Sequence, residues 1–111
     1  MKRTMILFVT LAGVLGLTAC GSEAVADGPA ATVRVENMSY SPESVTIKEG
    51  ETVEWIFDDN GLPHDVVDDD GLFESELLTE GTFSYTFDEA GTYTYHCTPH
   101  PMMLGTVVVE A

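Results

Sequence analysis

Residues 96–103, HCTPHPMM, place one thiol, two imidazoles and two thioethers in a single short stretch near the end of a 111-residue chain. Cys97, His100 and Met103 recur at intervals of three, so a tight loop can turn all three side chains toward one point. Pro99 and Pro101 flank His100 and restrict the backbone on both sides, which reduces the disorder lost when a metal is held. Structural zinc takes several cysteines, or cysteine with histidine and no methionine. A thiolate, an imidazole and a thioether together are a soft, mixed set that points to copper. A site of one cysteine, two histidines and a weak axial methionine still lacks one imidazole. His64, in GLPHDVV, lies 33 residues before Cys97 and can supply it from another strand end or loop.

These residues need a scaffold, and the sequence supplies strands. TVRVENM alternates from Val33 and Val35, SVTIK sets Val45 and Ile47 on one side, and TVEWIF sets Val53, Trp55 and Phe57 opposite Glu54. TFSYTF gathers Phe83, Tyr85 and Phe87, TYTYHC gathers Tyr93, Tyr95 and Cys97, and GTVVVE closes the chain as a β-branched run. SPES, KEGE, DDNG, DDDG and DEAG are turn signals between them, and no stretch sustains a helical repeat. Short strands with a turn every eight to twelve residues predict an all-β antiparallel sandwich. FESELL, residues 73–78, reads either as a short helical turn or as a ragged edge. The alternation that turns Tyr95 and Cys97 inward turns His96 outward, so His96 is expected at the surface and not among the ligands.

The first nineteen residues read as an address. Lys2 and Arg3 precede an apolar run over residues 5–17 that is too short to span a bilayer comfortably, and LTAC ends it at Cys20. This ending resembles a lipoprotein processing site, which implies cleavage before Cys20 and lipid on its thiol. Residues 1–19 are thus expected to be a signal peptide and residues 20–31, rich in small and polar residues, a flexible tether. Residues 32–111 are left as one domain with one core. If Cys20 carries lipid, Cys97 is a lone thiol in an oxidising compartment, where a metal gives it a reason to persist. All nineteen acidic residues follow Cys20, against only Arg34 and Lys48, so nucleic acid is excluded as a partner and a basic partner or a salty habitat is favoured.

GTYTYHCTPHPMMLGTVVVE, with SPESVTIKEGETVEW and PHDVV upstream, resembles the cupredoxins, the small blue-copper proteins. The Cys-x-x-His-x-x-Met loop is most similar to the amicyanin-like branch of that plastocyanin-like group. The resemblance runs from Val33 to Glu110 and implies a Greek-key sandwich of about eight strands with one blue-copper centre per chain. It implies His64, Cys97 and His100 as equatorial ligands and Met103 as the axial one, with Met102 as the rival. Leu62, Pro63, Pro101, Met102 and Leu104 are then expected to form an exposed apolar collar around His100 that meets a partner, the alternative for Met102 and Leu104 being a place in the core. Asp65 stands where that branch carries asparagine, so the side-chain link between the ligand loops is in question. Leu104 replaces an expected basic residue.

These features predict a monomeric, lipid-tethered electron carrier outside the cytoplasmic membrane and not an enzyme. Its partner would be a cytochrome, dehydrogenase or oxidase, docking through a basic face. A copper storage or delivery lipoprotein is the alternative, though Met-rich and His-rich tracts are absent. An oxidase domain would need a second copper centre, for which only His96 remains.

Overall fold

The computed structural model describes residues 28–111. The expected signal peptide, Cys20 and most of the tether lie outside the described residues. Eight strands follow one another: β1 (Ala31–Glu36), β2 (Ser39–Ser41), β3 (Ser44–Lys48), β4 (Glu51–Phe57), β5 (Val67–Asp68), β6 (Gly81–Phe87), β7 (Gly91–His96) and β8 (Leu104–Glu110). They form two four-stranded sheets, β2-β1-β4-β6 and β3-β8-β7-β5, as the all-β sandwich reading requires. The Ala30 N–H already donates to the Thr52 carbonyl at 2.8 Å and Ala31 pairs with Val53, so ordered pairing starts ahead of the expected domain edge at residue 32.

Alternation decides what is inside. Val33, Val35, Val53, Trp55, Phe57, Phe87, Tyr95, Val107 and Val109 all point into the space between the sheets and are buried. Trp55 is fully enclosed, its ring 5.4 Å from Tyr95, 5.6 Å from Phe83 and 5.9 Å from Phe73. Each such side chain taken out of water contributes roughly 1.5–3 kcal/mol. Phe73, 5 % exposed, settles FESELL as the ragged edge: residues 73–78 form neither helix nor strand and pair only through the isolated bridges Val67 to Glu74 and His64 to Leu78, while the Phe73 ring packs between the sheets against Trp55, Tyr85 and Phe87.

The pairing is less uniform than an antiparallel reading predicts. Four strand pairs are antiparallel, but β1 runs parallel to β4 and β3 parallel to β8. The cause is that the chain changes sheets at every connection from β2 to β7; in the first two of these crossings β3 leaves the sheet of β1 and β2, and β4 returns to it alongside β1. TVRVENM also breaks earlier than its alternation suggests. Asn37 and Met38 both adopt left-handed φ, 55° and 56°, and make the two-residue hairpin that turns β1 into β2.

The second sheet has one tight contact that positions the metal loop. Tyr95 lies directly across from Gly105, and a Cβ built on Gly105 would stand 2.2 Å from the Tyr95 Cζ. The aromatic ring thus covers the glycine backbone. Tyr95 in turn meets Tyr40 edge to face at 4.7 Å.

Candidate metal centre

The four ligand candidates come from both halves of the sandwich. His64 follows β4, on the segment 58–66 that crosses toward β5, and its backbone is bracketed by Leu78: the His64 N–H donates to the Leu78 carbonyl at 3.0 Å and the Leu78 N–H to that of His64 at 2.8 Å. Cys97 comes immediately after β7, so the inward phase of Tyr93 and Tyr95 carries it to full burial. His100 and Met103 lie on the loop to β8. That loop closes on itself, with the Met103 N–H on the His100 carbonyl at 2.9 Å and the Cys97 N–H on the Met103 carbonyl at 3.3 Å.

His64, Cys97 and His100 come together as one cluster, their donor atoms all within 4.8 Å of one another. Cys97 Sγ is 3.6 Å from each Nδ1, and the two Nδ1 atoms are 3.1 Å apart. The back of the His64 ring explains which atom faces forward. Its Nε2–H donates to the Asp59 carboxylate at 2.8 Å, so Nδ1 presents a lone pair to the other two donors. Three donors converging this closely fit a single ion with metal–nitrogen and metal–sulfur bonds of about 2.0 and 2.3 Å. A thiolate with two imidazoles, and a buried methionine on the same loop, is the soft set that suits copper.

Electrostatics agree with a protected thiol. Burial pushes the Cys97 thiol up, while the backbone N–H groups of Asp65 and His100 donate to its sulfur and pull the other way. The Asp59 carboxyl is held below the usual carboxylate range by the His64 hydrogen bond and by the N–H of Met38. Burial, with Cys97, Tyr95 and Asp65 nearby, pushes the Tyr40 hydroxyl up; that hydroxyl donates to the Asp65 carbonyl at 2.6 Å.

Asp65 itself answers the question raised by its replacement of asparagine. Its Oδ1 accepts the Thr98 N–H at 2.6 Å, joining the His64 segment to the Cys97 loop without any amide donor. Met103 is 2 % exposed and Met102 72 %, so only Met103 lies on the inner side of the loop. Leu62, Pro101, Met102 and Leu104 are exposed and Pro63 half-buried, which removes the core alternative for Met102 and Leu104. His96 stands apart from the cluster: its Nδ1 is 2.6 Å from Asp69 Oδ1, on the outer face of β7.

Asp59, Leu78 and Ser75 were not visible as site residues in the sequence. Ser75 Oγ accepts the Val66 N–H at 2.9 Å and so fixes the strand just beyond His64. DDNG signalled a turn, but not that the turn would aim Asp59 back at a histidine five residues on.

The comparisons with known proteins agree with this geometry. Residues 29–110 match the family model of copper binding proteins, plastocyanin/azurin family. The chain is 45% identical over 97 residues to amicyanin of Paracoccus versutus, covering 78% of this chain and 71% of that protein. It is 39% identical over 85 residues to plastocyanin of Scenedesmus fuscus, covering 64% and 86%. The crystal structure of the Paracoccus versutus amicyanin superposes with a TM-score of 0.67 at 42% identity, over 76% of this chain and 86% of that one. Sequence, fold and donor set converge, and the chain belongs to the plastocyanin/azurin family of copper-binding cupredoxins.

Proposed function

We propose that this protein is a one-electron carrier whose copper is held by His64, Cys97, His100 and Met103, tethered outside the cytoplasmic membrane by lipid on Cys20. The observation that carries the reading is the triangle of two Nδ1 atoms and one Sγ, all within 4.8 Å, with His64 and Cys97 buried, His100 half-buried and Met103 enclosed on the same loop. Copper supplies a one-electron couple there. The chain's own part is to hold still. Asp65 ties the two ligand segments together, Leu78 brackets His64, and the 97–103 loop is closed by its own backbone bonds, so the donors need not rearrange when the charge changes.

The half-buried His100 edge is the way in and out for electrons. Leu62, Pro63, Pro101, Met102 and Leu104, exposed or half-buried, would form an apolar docking patch around it, and the acidic surface beyond would steer a basic redox partner toward it. A small apolar contact with long-range attraction suits brief encounters.

The full chain loaded with Cu(II) should be intensely blue and bleach with ascorbate, and Cys97→Ser should abolish the colour. A blue Ser variant would refute the thiolate assignment. Cys20→Ala should stop lipid attachment and leave the precursor uncleaved or released, with its colour unchanged; wild-type protein free of lipid would refute the anchor.

A further inference from the structure

The turn after β4 carries a carboxylate that the ligand set does not use. The Leu62 N–H donates to the Asp59 carbonyl at 2.9 Å, and Asn60 and Gly61 take left-handed φ of 55° and 84°. This folds the chain so that Asp59 Oδ2 receives two donors at once: His64 Nε2–H at 2.8 Å and the Met38 N–H at 3.1 Å. Asp59 is only 9 % exposed and His64 1 %, so the bond is largely shielded from water and the carboxylate acts on the ring at hydrogen-bond distance.

We infer that Asp59 is a positioning residue for the metal centre: its carboxylate fixes His64 as an Nδ1 donor, and its negative charge, transmitted through the imidazole, favours Cu(II) over Cu(I). The inference rests on the copper reading of the centre. A histidine bound through one nitrogen is oriented by whatever accepts from the other, and an anionic acceptor makes the ring a stronger donor. A stronger donor beside a fixed negative charge stabilises the more highly charged ion. The reduction potential is therefore held lower than a neutral acceptor would leave it.

A purely structural role is the competing account. Asp59 also anchors Met38, whose left-handed φ of 56° is unusual for a bulky residue, and so secures the β1–β2 hairpin. Asp59→Asn separates the two roles. The amide oxygen can accept from both His64 and Met38, which keeps the shape while removing the charge. Asp58 is the control. It is adjacent in sequence but exposed, and Arg34 pairs with it at 3.0 Å.

The test uses the full copper-loaded chain as wild type, Asp59→Asn, Asp59→Ala and Asp58→Asn, with potentials from voltammetry and melting temperatures alongside. The Asp59→Asn protein should remain blue and melt as wild type does, yet lose about tenfold in its preference for Cu(II) over Cu(I). That equals a rise of about 59 mV for one electron. Asp59→Ala should raise the potential and lower the melting temperature, and nitrogen NMR of its metal-free form should show His64 no longer held as the Nε2–H tautomer. Asp58→Asn should move the potential far less. An Asp59→Asn potential equal to wild type, or matched by Asp58→Asn, overturns the inference. A wild-type chain that fails to turn blue overturns the copper reading instead.

Discussion

Gly105→Ala offers a test in which the sign alone decides. Gly105 has no left-handed φ, so alanine fits its backbone. Replacement of glycine at such a site ordinarily stabilises a protein by about 0.4–1 kcal/mol through the unfolded chain. Here the added methyl would stand 2.2 Å from Tyr95 Cζ, 2.4 Å from its hydroxyl oxygen and 2.6 Å from Cε2, far inside the roughly 3.5–4.0 Å at which carbon atoms attract. Tyr95 cannot retreat: it is fully buried, with Tyr40 at 4.7 Å, Trp55 at 5.4 Å and Phe73 at 6.5 Å. Overpacking of this kind costs about 1–3 kcal/mol. At the upper end, about 3 kcal/mol lowers the melting temperature of a domain this size by roughly 12–24 °C. Because Tyr95 is two residues from Cys97, and Tyr40 holds the Asp65 carbonyl, the blue absorption should shift as well. In a Tyr95→Leu background the same alanine should be neutral or stabilising. Calorimetry on the single and double variants checks this, and a Gly105→Ala protein as stable as wild type would refute the packing argument.

Asp65→Ala removes the acceptor for the Thr98 N–H and should cost about 1–3 kcal/mol and hasten copper loss, whereas Asp65→Asn keeps the acceptor and should stay near wild type; denaturant midpoints distinguish them. The Asp69 carboxyl is held below the usual range by the Thr94 hydroxyl and the His96 ring. A depressed carboxyl contributes stability that is complete above its unfolded value of about 3.9 and is lost as pH falls below it. Asp69→Asn should therefore flatten the acid side of the stability profile, and an unchanged slope would contradict that. Electron transfer from a basic cytochrome should slow between about 0.01 and 0.1 M salt, as the Debye length falls from about 30 to about 10 Å; a rate indifferent to salt would remove the steering argument.

The parts of this molecule governed by period were readable in the sequence. Tyr93, Tyr95 and Cys97 share a phase that strands impose on any sequence, so the burial of Cys97 and the outward turn of His96 followed from counting. What depended on closure in three dimensions was not readable. The parallel pairing of β1 with β4 arises from where β3 goes, and no residue in ATVRVE encodes it. Asp59 looked like one more turn aspartate because its role depends on the exact sweep of Asn60 and Gly61. Asp65 was left open for a different reason: its family counterpart is an amide, and only the fold shows that the bond to Thr98 needs an acceptor and no donor.

The distance along the chain between His64 and the Cys97 loop has a consequence for the unfolded protein. An ion gripped by both residues closes a ring of about 33 residues, and the chain-entropy relation for a cross-link of that span gives roughly 3–4 kcal/mol at room temperature. Joining Cys97 to His100 closes a much shorter ring, for which the same relation gives less than half as much. Bound metal would therefore act as a clasp between the β4–β5 crossing and the β7–β8 loop, with most of its conformational leverage in the single bond to His64. The 97–103 loop is then free to vary in length and composition, tuning chemistry and docking, with little effect on how firmly the clasp holds the fold.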